Sequence, residues 1–418
     1  MSRPFSSELP VRYLGPFERF FWSSDQQSAK HFTLVAQIAG HTRVTDWRQA
    51  LDAVQGRHPL LQVGIAVDIE RQPYFKKKVN AQIPLKVINM APDHWPDLVS
   101  NELSTPFCAS SELLLRATLL HTEQRLALIL SAHHAIADGL SLAFIVRDLM
   151  QAMTGVKMRE YPLPLAQEEL VGTAQSSPTY QGIPQRPARA QLLDRSAKIP
   201  LVQSLRMDAR ASDILRLRAR QAGATLHGAL IVALIKAGDQ GGAAWAKRPV
   251  RIKSPVNVRG LLGRTDECAL SIVSAESLIE DREHITFWAL ARCLSTEVGA
   301  ARSVETVTKF AAGLGALFDD QSDPGAATEF LLSAGSIDMM VSNLGELSFA
   351  SQVDGLHLES MWGPSTFMGM EGEQNIGALT VNGALHLVCS SYTPVDDLLG
   401  RARLILMAAC EVNAYACS

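Results

Sequence analysis

The chain has 418 residues, of which 47% are hydrophobic and 19% charged, a composition typical of a folded globular protein of about two domains. Its 39 lysines and arginines against 42 aspartates and glutamates leave a formal net charge of −3, which argues against nucleic acid or an anionic membrane as the main partner. Six scattered cysteines without a CxxC pair indicate a reducing compartment, and no stretch has the pattern of a signal peptide or the length of a membrane span, so we expect a cytoplasmic protein.

Hydrophobic periodicity predicts alternating helices and strands in the first 160 residues. A proline at position 59 ends the second helix, because the residue before a proline avoids helical geometry. The predicted elements are a helix at 16–22, a strand at 31–38, a helix at 44–54, strands at 61–67, 113–121 and 125–133, and a helix that follows position 139.

The second half of the chain shows the same mixture after a proline-rich segment. Asn382-Gly383 is a strong hairpin signal between two of its strands. The predicted elements are helices at 212–222 (with Ser212 as N-cap) and 225–237, a strand at 251–259, helical material at 284–317, a loop at 321–327, a strand at 337–341 that ends in a turn, strands at 376–381 and 384–390, and a helix at 395–410. We therefore predict an N-terminal domain over 1–160, a crossover over 161–200 and a C-terminal domain over 201–418.

The most distinctive chemistry lies at the junction between the strand at 125–133 and the helix that follows. This junction reads His133-His134-Ala-Ile-Ala-Asp138-Gly139. Neighbouring strand residues point to opposite faces, so the two histidines must have different roles. An imidazole suits a general base at neutral pH, Asp138 could fix the loop or pair with a cation, and Gly139 would permit a tight bend.

Three other interpretations of this junction are open. Both histidines could be ordinary buried side chains with satisfied hydrogen bonds. A metal site of His133, His134 and Asp138 is chemically conceivable, but no further His/Cys cluster lies nearby and we expect no metal. A serine hydrolase would need a G-x-S-x-G elbow, which the sequence lacks.

The junction matches the HHxxxDG signature of the CoA-dependent acyltransferase superfamily. This superfamily includes chloramphenicol acetyltransferases, condensation domains of nonribosomal peptide synthetases, plant BAHD acyltransferases, wax ester synthases and polyketide-associated acyltransferases. Further segments resemble the family's landmarks, in the family's order: Arg57-His58-Pro59-Leu60-Leu61, Gly223-Ala224-Thr225-Leu226-His227-Gly228, Pro255-Val256-Asn257-Val258-Arg259 and Ser342-Asn343-Leu344-Gly345. The sequence lacks the Asp-Phe-Gly-Trp-Gly motif of the plant enzymes, so the resemblance is greatest to free-standing condensation-like and polyketide-associated acyltransferases.

The resemblance implies an α/β fold of two chloramphenicol-acetyltransferase-like sandwich domains with a channel between them. It implies that His134 faces the channel and deprotonates the acceptor, while His133, Asp138 and Gly139 shape the turn. Asp138 would be ion-paired to an arginine, for which Arg259 is our candidate.

Three later residues are candidates for the channel. A backbone N–H near Gly139 or a side chain at Ser342 or Asn343 could stabilise an oxyanion, although the latter two could also be an ordinary turn cluster. Trp362 is expected in the core or in the channel wall rather than in a specific ligand contact.

The resemblance also implies the reaction. We expect an acyltransferase of secondary metabolism that moves an acyl group from coenzyme A or an acyl carrier protein to a hydroxyl of a natural product or lipid, without a cofactor and as a monomer. The alternatives are an amide-forming condensation enzyme with an amine acceptor, an epimerase-like relative, and a non-catalytic binding protein that keeps the fold.

Overall fold

The computed structural model describes residues 11–171, 199–280, 282–317 and 337–411. Ten α-helices and fifteen strands occur in these ranges. In chain order the helices are α1 (Pro16–Asp25), α2 (Val44–Arg57), α3 (Trp95–Ser104), α4 (Gly139–Ala152), α5 (Gln167–Leu170), α6 (Ala209–Gln221), α7 (Leu226–Gln240), α8 (Phe287–Ala300), α9 (Val304–Leu317) and α10 (Leu398–Glu411).

The strands form two six-stranded sheets and one small sheet. In chain order they are β1 (Arg12–Tyr13), β2 (His31–Ala39), β3 (Val63–Val67), β4 (Pro73–Lys77), β5 (Leu85–Ile88), β6 (Leu115–His121), β7 (Arg125–His133), β8 (Leu201–Met207), β9 (Val250–Asn257), β10 (Ile272–Ile279), β11 (Met339–Glu346), β12 (Gln352–Val353), β13 (Leu356–Thr366), β14 (Gln374–Val381) and β15 (Ala384–Ser391). The first large sheet has the order β12-β13-β2-β7-β6-β5, the second has β10-β9-β11-β14-β15-β8, and β1-β4-β3 form the small sheet. The predicted mixed α/β fold with two lobes is confirmed.

Helices pack on both faces of the first sheet. Helices α2 and α4 pack together on one face, with α4 on β2 and β13, and α3 packs on β2, β7 and β13 from the other. Helix α7 packs against α8 and α10 on the second sheet, and most of its residues are buried because it is apolar almost all round. In the part of the chain described, no helix is both long and apolar enough to cross a membrane.

Two strands from the second half of the chain belong to the first sheet. Strand β13 pairs antiparallel with β2, so that His357 lies opposite Ala39 and Thr366 lies opposite Phe32. The predicted range 201–418 therefore contributes to both sheets, and β13 connects the two lobes. Residues 172–198 of the predicted crossover and the loop predicted at 321–327 lie outside the described residues.

Local capping corrects one predicted helix start. Helix α6 begins after Asp208, whose Oδ1 accepts the backbone N–H of Ala211 at 2.8 Å, as an N-cap carboxylate does. Ser212, which the sequence analysis took as the cap, lies inside the helix and its hydroxyl donates to the Asp208 carbonyl at 2.8 Å. Strand β11 is longer than predicted: it continues to Glu346 through the segment for which a turn was expected.

The two large sheets approach each other closely at a glycine. A Cβ atom on Gly377, in β14 of the second sheet, would lie 2.3 Å from the Pro364 carbonyl oxygen and 2.5 Å from the Gly363 carbonyl carbon, both in β13. Both of these contacts are to backbone, which cannot rotate away. Only a residue without a side chain fits at this position.

We predict that Gly377→Ala lowers the free energy of unfolding by about 1–3 kcal/mol, because the added methyl forces the two sheets apart. Urea denaturation followed by circular dichroism measures the change. Gly56→Ala is the matched control, since its Cβ meets nothing within 4 Å and Gly56 lies inside α2. There the same substitution should stabilise by roughly 0.5–1 kcal/mol, and equal effects of the two variants would contradict the close approach of the sheets.

Candidate active site

The HHxxxDG turn links the end of β7 to the start of α4. His133 is the last residue of β7, and Gly139 is the first of α4. Asp138 caps the helix: its Oδ1 accepts the backbone N–H of Ser141 at 2.8 Å and the Ser141 hydroxyl at 2.9 Å. The aspartate therefore fixes the turn locally, as a short acidic side chain at an N-cap does.

Asp138 is also held from the other lobe. Arg259 follows β9, and its Nη2 atom donates to both Asp138 carboxylate oxygens at 2.9 and 3.1 Å. The backbone N–H of Ser271 donates to Asp138 Oδ2 at 3.0 Å. Arg259 and Asp138 are both buried, and Arg259 Nη2 also donates to the Ala269 carbonyl at 2.7 Å. The structure thus brings together the two residues that the sequence analysis paired.

His133 points into the first lobe and is fully buried. Its Nδ1 accepts the backbone N–H of Ala135 at 3.0 Å, so the neutral ring carries its proton on Nε2. That atom lies 3.7 Å from Asp25 Oδ2. Burial alone would raise the pKa of Asp25, but His133, the backbone N–H of Lys30 and His31 together outweigh it, and the pKa of Asp25 is lowered.

His134 lies between two phenylalanine rings. The Phe21 ring is stacked on one face at 4.5 Å between centroids and 20° between planes, and the Phe32 ring on the other at 4.2 Å and 22°. The His134 Nδ1 atom lies 3.3 Å from the Ala137 carbonyl oxygen, which can only accept, so Nδ1 carries the proton. Nε2 then has the lone pair, and among the described residues it has no hydrogen-bond partner.

The surroundings keep the His134 imidazole neutral. Burial lowers the pKa of His134 to about 3, although the bond to the Ala137 carbonyl acts in the opposite direction. At neutral pH the ring is therefore an unprotonated base. This state is the one that a general base needs before it accepts a proton.

His134 lines a pocket between the two lobes. The pocket contains about 1090 Å³ of empty space, including its open mouth. The N-terminal lobe contributes α1 and the HHxxxDG turn, the C-terminal lobe contributes β9, β10, β11 and α9, and the end of β13 completes the wall. Its aromatic and sulfur-containing side chains are Phe17, Phe20, Phe21, Phe310, Phe367, Met340 and Met368.

The other predicted site residues take different places. Ser342 and Asn343 line the pocket, and Asn343 Oδ1 also accepts the backbone N–H of Gly345 at 2.9 Å. Gly139 lines the pocket too and begins α4, and its φ angle is not in the left-handed region that favours glycine. Its small size instead lets the Leu344 side chain approach, since a Cβ there would lie 2.7 Å from Leu344 Cδ2.

Trp362 does not line this pocket. It is opposite Val35 in the pairing of β13 with β2, and β13 is irregular between Trp362 and Ser365. The irregularity sends the indole to the opposite side of the sheet from the pocket, where it stacks on Trp95 and donates to Gln37 Oε1 at 2.9 Å. Of the two locations expected for Trp362, the core is the one observed.

The two rings that hold His134, and Lys30 and Lys253 in the pocket wall, were not among the predicted site residues. Strand register brings Lys30 to the site: β2 pairs antiparallel with β7, with His31 opposite His133, so Lys30 lies opposite His134. Its Nζ donates to the Met368 carbonyl. Among the described residues, no group of three or more His, Cys, Asp and Glu side chains could hold a metal.

The buried neutral state of His134 predicts an effect of pH on stability. The unfolded chain takes up a proton on this residue below pH 6.5, the ordinary pKa, whereas the folded chain does so only near pH 3. In this window the unfolded state binds more protons, so the free energy of unfolding should fall as the pH is lowered, by up to about 1.4 kcal/mol per pH unit from this residue.

Urea denaturation of the wild type and of His134→Gln between these pH values measures the contribution. His31, His227 and His386 also have pKa values lowered by burial to about 4, and their contribution is common to both proteins. The wild type should lose more stability than the variant on acidification. Parallel curves would show that His134 is not buried as a neutral base.

The buried pair between Arg259 and Asp138 predicts a large loss of stability on substitution. Arg259→Ala leaves the carboxylate of Asp138 buried without its cation, so the free energy of unfolding should fall by about 3–5 kcal/mol. Arg43→Ala is the control, since the Arg43 ion pair with Asp46 is exposed and its loss should cost at most about 1 kcal/mol. Chemical denaturation compares the two variants, and similar losses would contradict a structural role for Arg259.

Comparison with known proteins agrees with this geometry. Residues 20–169 match the family model of the condensation domain. A probable non-canonical nonribosomal peptide synthetase, CymA of Salinispora arenicola, is 30% identical over 230 residues, 48% of this chain. The vanchrobactin synthetase VabF of Vibrio anguillarum is 33% identical over 141 residues, 31% of this chain. The matches span only 3% and 5% of the lengths of these two synthetases.

Solved structures share the fold over nearly the whole chain. Polyketide synthase associated protein 5 from Mycobacterium tuberculosis has a TM-score of 0.68 at 17% identity and covers 96% of this chain and 99% of its own. The epimerization domain of tyrocidine synthetase B has a TM-score of 0.65 at 12% identity, with 99% of both chains covered. The first condensation domain of the CDA synthetase has a TM-score of 0.62 at 16% identity, with 96% of both covered.

At these low identities the structural likeness concerns the fold. The family model matches residues 20–169, which include the HHxxxDG turn and make up less than half of the chain. Over this stretch the chain is similar to condensation domains.

Proposed function

We propose that this protein transfers an acyl group from a thioester, carried by coenzyme A or an acyl carrier protein, to a hydroxyl of a natural product or lipid, with His134 as general base. One observation carries the proposal. The His134 ring has its proton on the side of the Ala137 carbonyl, and its other nitrogen has no protein partner among the described residues while the residue lines the pocket between the lobes.

The proposed reaction is a direct attack. The acceptor hydroxyl gives its proton to His134 Nε2 as its oxygen bonds to the thioester carbonyl carbon. The carbonyl oxygen becomes an oxyanion, which collapses as the carbon–sulfur bond breaks. The leaving thiolate then takes the proton back from the imidazolium, so that the products are an ester and a free thiol. Binding both reactants next to one base supplies the proximity on which such a reaction depends.

The rings on either side of His134 support its role in this sequence. A cation over an aromatic face is attracted by the negative face of the ring, so Phe21 and Phe32 favour the transient imidazolium. They also restrict rotation of the imidazole, which keeps Nε2 directed towards the substrates.

The start of α4 supports a position for the oxyanion. The backbone N–H groups of Gly139 and Leu140 belong to the first turn of this helix and therefore lack partners within it. Both residues line the pocket. Because the helix dipole is positive at this end, we propose these groups as the oxyanion stabiliser, with the Ser342 hydroxyl as a second donor.

A second candidate function is amide formation with an amine acceptor. The observation that favours it is the match to two peptide synthetases at 30% and 33% identity. His134 would serve an amine in the same way as an alcohol. The two functions therefore differ in the acceptor and not in the base.

The proposal is tested by following thiol release from acyl thioesters with the purified protein. Substitution His134→Ala should reduce the rate by roughly 10²–10⁴-fold, because the acceptor loses its general base. His94→Ala is the control, since this histidine is exposed and is not in the pocket wall. Full activity of the His134 variant would contradict the general-base role.

The same assay with matched donors and acceptors separates the candidate functions. Each acyl group is presented both on coenzyme A and on an acyl carrier protein, with acceptor alcohols and the corresponding amines. Mass spectrometry identifies the ester or the amide. Transfer to alcohols supports the proposal, and transfer to amines alone supports the second function. Absence of transfer with every pair would favour a non-catalytic binding protein.

A further inference from the structure

One face of β9 forms part of the pocket wall. Lys253, Pro255 and Asn257 line the pocket, whereas the residues between them are buried in the C-terminal lobe. This alternation is the ordinary two-residue period of a strand. The three side chains therefore form a row that runs along the pocket.

Strand pairing places Lys253 farther along the sheet from the HHxxxDG turn than Asn257. Asn257 is opposite Ile272, while Lys253 is opposite Glu276 on β10 and Met340 on β11. Leu344, four residues beyond Met340 on β11, is the side chain that touches the Gly139 position. Four residues of strand span about 13 Å, so Lys253 lies about that distance along the sheet from the HHxxxDG turn.

The Lys253 side chain is 15% exposed. Its ammonium forms a long ion pair with Glu276 Oε1 at 3.7 Å, a distance too great for a hydrogen bond. No hydrogen bond from Nζ to another described residue is found. An ammonium has three N–H donors, and a desolvated charge that does not use them is costly.

Between Lys253 and His134 the side of the pocket formed by α1, α9 and Met340 is apolar, whereas Ser274 and Ser342 are polar residues on its strand side. Phe17, Phe21, Leu314 and Met340 belong to one cluster of packed side chains, which reaches His134 through Phe21 and reaches Lys253 through Met340. The one carboxylate among the described lining residues is that of Asp138, and both of its oxygens accept hydrogen bonds from protein groups.

We propose that Lys253 binds a carboxylate at the far end of an apolar stem whose other end carries the reacting group. The identity of the bound molecule as a substrate rests on the proposed function, whereas the anion site itself does not. The distance along the sheet, less the reach of the lysine side chain, leaves room for a stem on the order of 10 Å. An apolar chain that ends in a carboxylate would contact the phenylalanine side chains along its length and the Lys253 ammonium at its end.

Isothermal titration calorimetry of the full chain with octanoate and octanamide, at neutral pH and low salt, tests the anion site without turnover. The two probes have the same length and differ in charge. The wild type should bind octanoate about tenfold more tightly than octanamide, the effect of one charged hydrogen bond. This ratio should fall to near one in Lys253→Met and be retained in Lys253→Arg.

Two control variants locate the effect. Lys157→Met changes an exposed lysine outside the pocket and should keep the preference. Lys30→Met should also keep it, and loss of the preference in this variant alone would overturn the assignment to Lys253. Lys253→Gln replaces Lys253→Met if circular dichroism shows that the latter is unfolded. Equal affinity of the wild type for both probes would equally overturn the proposal.

The outcome is independent of the proposed reaction. His134→Ala should keep the octanoate preference even if it abolishes thiol release, because Lys253 and not His134 binds the carboxylate. A wild-type protein that binds octanoate selectively but transfers no acyl group would leave the anion site standing and contradict the proposed function. Acyl transfer without any octanoate preference would support the proposed function and contradict the anion site.

Discussion

The ion pair between Arg259 and Asp138 is the contact on which the arrangement of the active site depends. Asp138 caps helix α4 in the N-terminal lobe, and Arg259 reaches it from the end of β9 in the C-terminal lobe. Both charges are buried, so neither can exchange its partner for water without a large cost. A movement of the C-terminal lobe would therefore disturb the turn that carries His134. Strand β13, which pairs with β2 and packs on β14, provides a second connection at the back of the site.

The two neighbouring histidines show how one turn supplies both a structural and a reactive imidazole. His133 is enclosed in the lobe, where a backbone N–H determines its tautomer. His134 lies at the pocket, where a backbone carbonyl determines the opposite tautomer and two phenyl rings restrict the imidazole. The same apolar contacts lower its pKa to about 3 and ensure that it is unprotonated at neutral pH. Because of this low pKa His134 is a weaker base, and the attraction between the phenyl rings and the transient imidazolium partly offsets this weakness.

The pocket has an uneven distribution of charge that bears on what it binds. Near His134 the walls are phenylalanine and methionine side chains together with Lys30, and Lys253 lies farther along β9. Solved structures that share the fold include a polyketide synthase associated protein, an epimerization domain and a condensation domain. Proteins with one fold thus differ in role, so the side chains that line a pocket, and not the fold, distinguish substrates.

The sequence by itself determined the HHxxxDG turn and the elements on either side of it, because a buried strand, a capping aspartate and an amphipathic helix are all local patterns. It also carried the resemblance to the superfamily and, through that resemblance, predicted the pairing of Arg259 with Asp138. Only the tertiary structure decided that Phe21 and Phe32 enclose His134, that Trp362 faces the core, and that strand β13 joins the first sheet. These features depend on strand register and on contacts between residues far apart in the chain, and periodicity within one segment contains no information about either.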